Sequence, residues 1–233
     1  MIVLRKGIEM EYNLIGNAMD SLNEAIYYYK SGKEYKDESR FKYCILLLAH
    51  SAELILKEIL FNEHEYLLYE NIDDVNENNP QTVGFRNALS RVKKICKINW
   101  GAYETYLIEL LNIRNQIQHY KFRISQQQCD KIIIQSFSAI EYIVTEILGK
   151  TFNDFGTYIT SDQIDYLHED RDVYKKRKQD IARDIRDNDL VRYGIEYTRN
   201  KFIYVPCPIC SETVLVEDGT GLICKFCGNK YDS

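Results

Sequence analysis

Through the first 150 residues, apolar side chains recur at three- and four-residue steps, and Pro80 is the only proline before Pro206. That period belongs to helices buried along one face. Met10, Leu14, Ala18, Leu22, Ala25, Ile26 and Tyr29 predict a first helix over residues 8–30, stopped by Ser31-Gly32. A second, over 39–61, is apolar around much of its girth and predicts the central helix of a bundle. The polar, Asn-rich stretch 62–81 reads as a mobile surface loop. Helices over 82–95, 103–119 and 127–148 follow, the last with Ser125 as its N-cap.

Beyond residue 150 the pattern changes twice. After a lapse over 152–158, Ser161-Asp162 can cap a charged helix over 163–186. Its apolar positions (Ile164, Tyr166, Leu167, Val173, Tyr174 and Ile181) are sparse, so it should pack on one narrow stripe and bridge two domains. Lys175, Lys176, Arg177 and Lys178 make a basic run whose usual meaning is a solvated helix face. From Lys201 onward, short β-prone segments alternate with turns. The expected fold is mainly α: an up-and-down helical bundle over 1–150, a charged helical linker over 151–199 and a small β ribbon over 200–233.

The ribbon carries four of the seven cysteines as two Cys-x-x-Cys hooks, Cys207/Cys210 and Cys224/Cys227, separated by the 13 residues 211–223. Four thiolates at that spacing suit tetrahedral zinc, and a complete set of protein ligands leaves no open position, so the metal would be structural. Gly228 follows the second hook, whereas the first ends in Ser211; the pattern looks like a zinc ribbon of rubredoxin-type knuckles. Lys225, Phe226, Lys230 and Tyr231 are its candidates for contact with nucleic acid, another protein or the bundle itself. The other three cysteines are scattered through helical segments, as expected of core thiols in a reducing cell.

Composition narrows the partners. A chain of 233 residues, 45% hydrophobic with a net charge of −5, can bury a core but has no basic coat for non-specific duplex binding. The greasiest stretch, 44–61, is broken by His50, Ser51, Glu53, Lys57 and Glu58, and the N-terminus has the wrong order of charge for a secretory signal. A cytoplasmic protein without a membrane span is expected. No Gly-x-x-x-x-Gly-Lys loop and no His-Glu-x-x-His helix is present, which argues against an ATPase or a metalloprotease.

Candidate chemistry lies at the end of the fourth helix, in Arg114-Asn115-Gln116-Ile117-Gln118-His119. An arginine supplies a fixed cation for a phosphate, and a histidine titrates near neutrality. At about 100° per residue, Arg114 and His119 lie about 140° apart, whereas Asn115 and His119, four steps apart, share a face. Arg114 must reach around the helix, or the helix must fray after Gln118. Asn115 is placed to orient the imidazole or a phosphate oxygen.

An all-helical bundle of this size with Arg-Asn-x-x-x-His on a late helix resembles the HEPN superfamily over about residues 8–150. Many of its members are metal-independent endoribonucleases of toxin, abortive-infection and CRISPR-associated systems. Cleavage by a ribose 2′-hydroxyl needs a base and an acid, yet the motif supplies one histidine per chain. The resemblance implies a homodimer that brings two copies of Arg114, Asn115 and His119 to one cleft, leaving a 2′,3′-cyclic phosphate and a 5′-hydroxyl. It also implies RNA as substrate and an antitoxin or defence-system protein as partner. Glu53, in the apolar second helix, could hold Arg114 or pair with Lys57 at i+4, and Tyr120 could stack on a base or simply pack. His50 reads as a hydrogen-bonded core histidine, while His64 and His168 carry no motif. Two other functions fit the same residues: a catalytically inert HEPN-like dimeric scaffold, and a zinc-ribbon nucleic-acid-binding regulator.

Overall fold

In the computed structural model, residues 13–74, 80–120, 122–156, 158–193, 207, 215–217, 221–224, 226 and 230–232 are described. Six α-helices dominate them: α1 (Leu14–Tyr35), α2 (Glu38–Glu63), α3 (Phe85–Ile95), α4 (Ala102–His119), α5 (Gln126–Tyr142) and α6 (Ser161–Tyr193). None is long and apolar enough to cross a membrane.

The first helix starts later and ends later than its pattern suggests. Asn13 is the N-cap, its side chain accepting from the Gly16 N–H at 2.7 Å; residues 8–12, expected to be helical, lie outside the described residues. Ser31-Gly32 does not stop α1. Ser31 Oγ donates back to the Tyr27 carbonyl at 2.8 Å, and a Cβ on Gly32 would meet Arg40 Cβ at 3.3 Å and the Phe41 ring at 3.4 Å. The glycine therefore serves the close approach of α2, and the helix ends instead at Lys36, whose φ of 53° is left-handed.

As expected, α2 is the central helix. It packs against α1, α3, α4 and α5 and buries Phe41, Cys44, Ile45, Leu48, Ala52, Ile55, Leu56 and Leu60. His50 is not a core histidine: it faces solvent. The apolar girth of this segment has one outward row, and His50 occupies it.

Of the stretch 62–81 expected to be a mobile loop, residues 75–79 lie outside the described residues, and the described part is more ordered than that. Single 3₁₀ turns form at Glu65–Leu68 and Ile72–Asp74, and Tyr69 bridges to Thr82. Arg91 of α3 donates to the carbonyls of Leu67, Tyr69 and Glu70 at 2.8, 2.7 and 3.2 Å. One guanidinium thus adds to the two backbone bonds of that bridge, Glu70 N–H to the Gln81 carbonyl and Val83 N–H to the Leu68 carbonyl, each 2.8 Å.

Ser125 caps α5 as its sequence predicts. Its Oγ accepts from the Gln128 N–H at 3.2 Å while Gln128 Oε1 accepts from the Ser125 N–H at 2.9 Å, a reciprocal box. Ser125→Ala is expected to cost about 1 kcal/mol. Thermal unfolding should drop by about 2–4 °C with helical circular dichroism unchanged, and a shift of zero would mean that the cap carries no stability. Beyond Tyr142 the helix widens into a π turn, Ile143–Ile147.

The core does not stop at residue 150. Phe152, Phe155, Ile159, Ile164 and Leu167 are buried in the same cluster as α1, α2 and α5. The start of α6 is thereby fastened to the bundle, whereas Val173, placed on the apolar stripe by its spacing, is 66% exposed. Lys175, Lys176 and Lys178 are exposed too. In the C-terminal part, β1 (Leu215–Glu217), β2 (Gly221–Cys224) and β3 (Lys230–Asp232) form an antiparallel sheet in chain order, with Val216 opposite Ile223 and Leu222 opposite Tyr231.

Candidate active site at the end of the fourth helix

Leu107, Leu110 and Leu111 bury one face of α4; at about 100° per residue Arg114 continues that face at its edge with solvent, while Asn115 and His119 lie about a quarter-turn or more around the helix. The helix runs unbroken to His119, where the Tyr120 N–H donates to the Gln116 carbonyl and Tyr120 itself is extended. Fraying after Gln118, one of two ways to bring the motif together, does not occur. Arg114 instead reaches its neighbour, Nη1 donating to Asn115 Oδ1 at 3.0 Å. Arg114 and Asn115 are half-buried; His119 is exposed and, among the described residues, has no hydrogen-bond partner.

Two supporting residues sit differently from their strongest reading. Glu53 Oε1 accepts from Lys57 Nζ at 2.8 Å, and Lys57 also donates to Thr82 Oγ1 at 3.1 Å. No ion pair joins Glu53 to Arg114 among the described residues, so the i+4 partner prevails over the distant arginine. Tyr120 is 75% exposed and does not pack in the core, which leaves its ring open to a ligand or a second chain.

The metal ligands are partly in view. Cys207 and Cys224 are both buried, and Cys224 closes β2 opposite Leu215. Cys210 and Cys227 lie outside the described residues, among which no group of three metal-ligating side chains occurs. Two buried thiols, one ending a strand of a short antiparallel sheet, fit the donor chemistry that the spacing predicts. Phe226 corrects an expectation: it is 2% exposed, not offered to nucleic acid. Its ring stands edge-on to Tyr174 at 5.4 Å and beneath the Arg177 guanidinium at 4.9 Å, and Arg177 donates to its carbonyl at 2.9 Å. Of the three contacts open to the ribbon, Phe226 makes the one to the helical body. Lys230 is exposed; Lys225 and the Tyr231 side chain lie outside the described residues.

Polar clusters that the sequence left unassigned hold the later helices. His168 Nε2 lies 2.5 Å from Glu141 Oε1, and Arg171 binds the other oxygen of the same carboxylate. The available signal was Glu141 itself, a carboxylate amid Ile140, Ile143 and Val144, facing a His168/Arg171 pair three residues apart. Between α1, α5 and α6, Tyr29 donates to Asp170 at 2.5 Å and to Asp130 at 3.2 Å, and Lys33 donates to Asp170 at 2.5 Å. Burial pushes the Asp130 carboxyl up, against the pull of Lys33 and the Tyr29 hydroxyl. Burial and the two carboxylates also push the Tyr29 hydroxyl far up, so it remains a donor. Burial raises the Cys44 thiol and takes that of Cys129 to about 12, which makes them core groups rather than nucleophiles.

Compared with protein-family models, curated proteins and solved structures, the chain matches none.

Proposed function

We propose that the protein is an endoribonuclease whose site is assembled from Arg114, Asn115 and His119 of two copies of the chain. One observation carries the reading: α4 stays helical to its last residue and ends on an exposed histidine without a hydrogen-bond partner among the described residues, with an arginine already oriented by the asparagine that shares the histidine's face. An imidazole without a structural partner is available for proton transfer. The guanidinium, held by Asn115, is preorganised for the charge that builds on a phosphodiester. In the dimer one His119 takes the 2′-hydroxyl proton and the other protonates the leaving 5′-oxygen; no step requires a catalytic metal. A toxin or antiviral defence role, with an antitoxin or other partner, extends the same reading. Cys207, Cys210, Cys224 and Cys227 would hold a structural zinc that folds the ribbon, and Phe226 ties that ribbon to α6.

The test is incubation of the purified protein with total RNA in EDTA, with end-group analysis of the fragments. Cleavage leaving 2′,3′-cyclic phosphates and 5′-hydroxyls is the expected result, from a protein that runs as a dimer in light scattering. Intact RNA across varied substrates would sink the reading. Because EDTA also challenges the ribbon, Cys224→Ser is run in parallel; it should lose bound zinc and ribbon protease resistance while the helical signal persists.

A further inference from the structure

The chain that leaves the candidate motif alternates aromatic and basic residues, Tyr120-Lys121-Phe122-Arg123. Phe122 and Arg123 do not trail into solvent: they wall a cleft of about 570 Å³ whose other side is the α1–α2 junction, with Lys33, Lys36, Glu38 and Phe41. That volume lies within the about 300–1,000 Å³ of small-ligand pockets. Lys36 and Arg123 are exposed, and among the described residues neither has an ion-pair partner. Lys33 is already neutralised by Asp170, and Glu38 is the one acid in the wall. Phe122 is half-buried and, among the described residues, is in no ring–ring contact, while Phe41, also lining the cleft, is buried.

From these features we infer that the cleft binds one unstacked nucleotide of single-stranded RNA, its base against Phe122 and its phosphate between Lys36 and Arg123. The inference rests on the ribonuclease reading for its choice of RNA. The chemistry is that of single-strand recognition: an aromatic face takes a base of any sequence, and cations track the backbone. A duplex cannot present a base to such a cleft without losing its stacking. Arg123 lies four residues after His119, so the chain can separate them by no more than about 14 Å, and one strand can reach both the cleft and the candidate catalytic groups. The cleft would thus position the strand next to the bond that is cut.

The test uses the full-length His119→Ala protein, so that probes stay intact, and fluorescence anisotropy with labelled oligouridylate, oligoadenylate, a mixed-sequence single strand and the same strand annealed to its complement. Single strands are expected to bind more tightly than the duplex. The pair Lys36→Asn/Arg123→Gln should weaken single-strand binding at least about tenfold and reduce the salt-dependence slope by about 0.7, the value for one phosphate held by the two cations. Asparagine is chosen because it tolerates the left-handed backbone of residue 36. Phe122→Leu should weaken binding about fivefold or more, the low end for one stacked base. Glu38→Gln should tighten it, a gain that a merely structural role would not produce. Unchanged melting temperatures establish that the variants fold.

No single-strand binding by the parent, or equal affinity for the parent and the Lys36/Arg123 pair, overturns the cleft. The two readings fail separately. If otherwise wild-type protein cuts RNA and the cleft substitutions leave kcat/KM unchanged, the cleft falls and the nuclease stands. If it cuts nothing while the substitutions abolish binding, the cleft stands and the nuclease falls.

Discussion

His119→Ala is expected to lower the rate of RNA cleavage by at least about 10²-fold, the low end for one general acid or base, because the substitution removes both from the proposed dimer. Stability should hardly change. His119 is exposed on the last turn of α4, without a partner among the described residues, so truncation there opens no cavity and orphans no buried group. Arg114→Ala should cost about 10²–10³-fold in kcat, the range for one preorganised donor to a developing oxyanion. Asn115→Ala should fall between wild type and Arg114→Ala, since Asn115 acts in part by holding the guanidinium. Initial rates on one labelled RNA, with melting temperatures of all three variants, check these values. If His119→Ala cuts as fast as wild type, the motif is a helix terminus and nothing more. If Arg114→Ala alone is silent and also melts early, its role is structural.

How far the sequence disclosed this arrangement depends on which physical signal each residue left. The bounds of α4 and the start of α5 followed from periodicity and the Ser125 N-cap, both local, and the structure reproduces them closely, whereas α5 gives way at Ile143 to a π turn within the stretch read as continuous helix to residue 148. Ser31-Gly32 misled because a Ser-Gly pair signals a stop only where the glycine is exposed; here it makes room for Phe41, a tertiary contact without local trace. The order in residues 64–74 depends on Arg91 some twenty positions later, and the burial of Phe226 on Tyr174 and Arg177 some fifty positions earlier. Within the motif, the Asn115–His119 face was legible from helical phase. The Glu53–Lys57 pairing was one of the two partners the sequence offered and is the one formed; that Arg114 would then bond Asn115, its immediate neighbour, was not legible.

The same contrast separates the groups available for chemistry from those that hold the fold. His168, Glu141 and Arg171 resemble a catalytic cluster, yet each oxygen of the single carboxylate is already engaged, one by His168 Nε2 and the other by the Arg171 guanidinium, across the α5–α6 contact. Such a group, once paired, gains little by binding substrate. His119 has the opposite character, and so do Lys36 and Arg123. Among the described residues neither Lys36 nor Arg123 has an ion-pair partner; both line the cleft against the α1–α2 junction, and the proposed anion binding at this end of a net-acidic molecule rests on them.

The largest loss of stability is expected from Lys33→Met, which strips Asp170 of its ion-pair partner between α1 and α6. Breaking a buried pair costs about 3–5 kcal/mol; with Lys33 30% and Asp170 17% exposed, the effect belongs at or somewhat below the lower end. Its pH dependence follows from the neighbours. Asp130 has its folded-state pKa raised by burial, with Lys33 and the Tyr29 hydroxyl pulling down and Asp170 pushing up. A raised carboxyl contributes stability that is complete below its unfolded pKa and is lost as pH rises through the folded value. Removing Lys33 deletes a group that opposes the rise, so Asp130 holds its proton to higher pH. The variant's deficit should therefore be greatest at neutral pH and shrink as pH falls into the carboxylate range. Asp170→Asn in the same chain should recover part of the loss at neutral pH, because it removes the orphaned charge and keeps an acceptor for Tyr29. Urea unfolding from pH 4 to pH 8 of the two single variants and the double reads all of this. A deficit for Lys33→Met that does not vary with pH, or a double variant whose losses simply add, would show that Lys33 acts by packing its stem over the Tyr29 ring, 5.0 Å from its ammonium, and not by its charge.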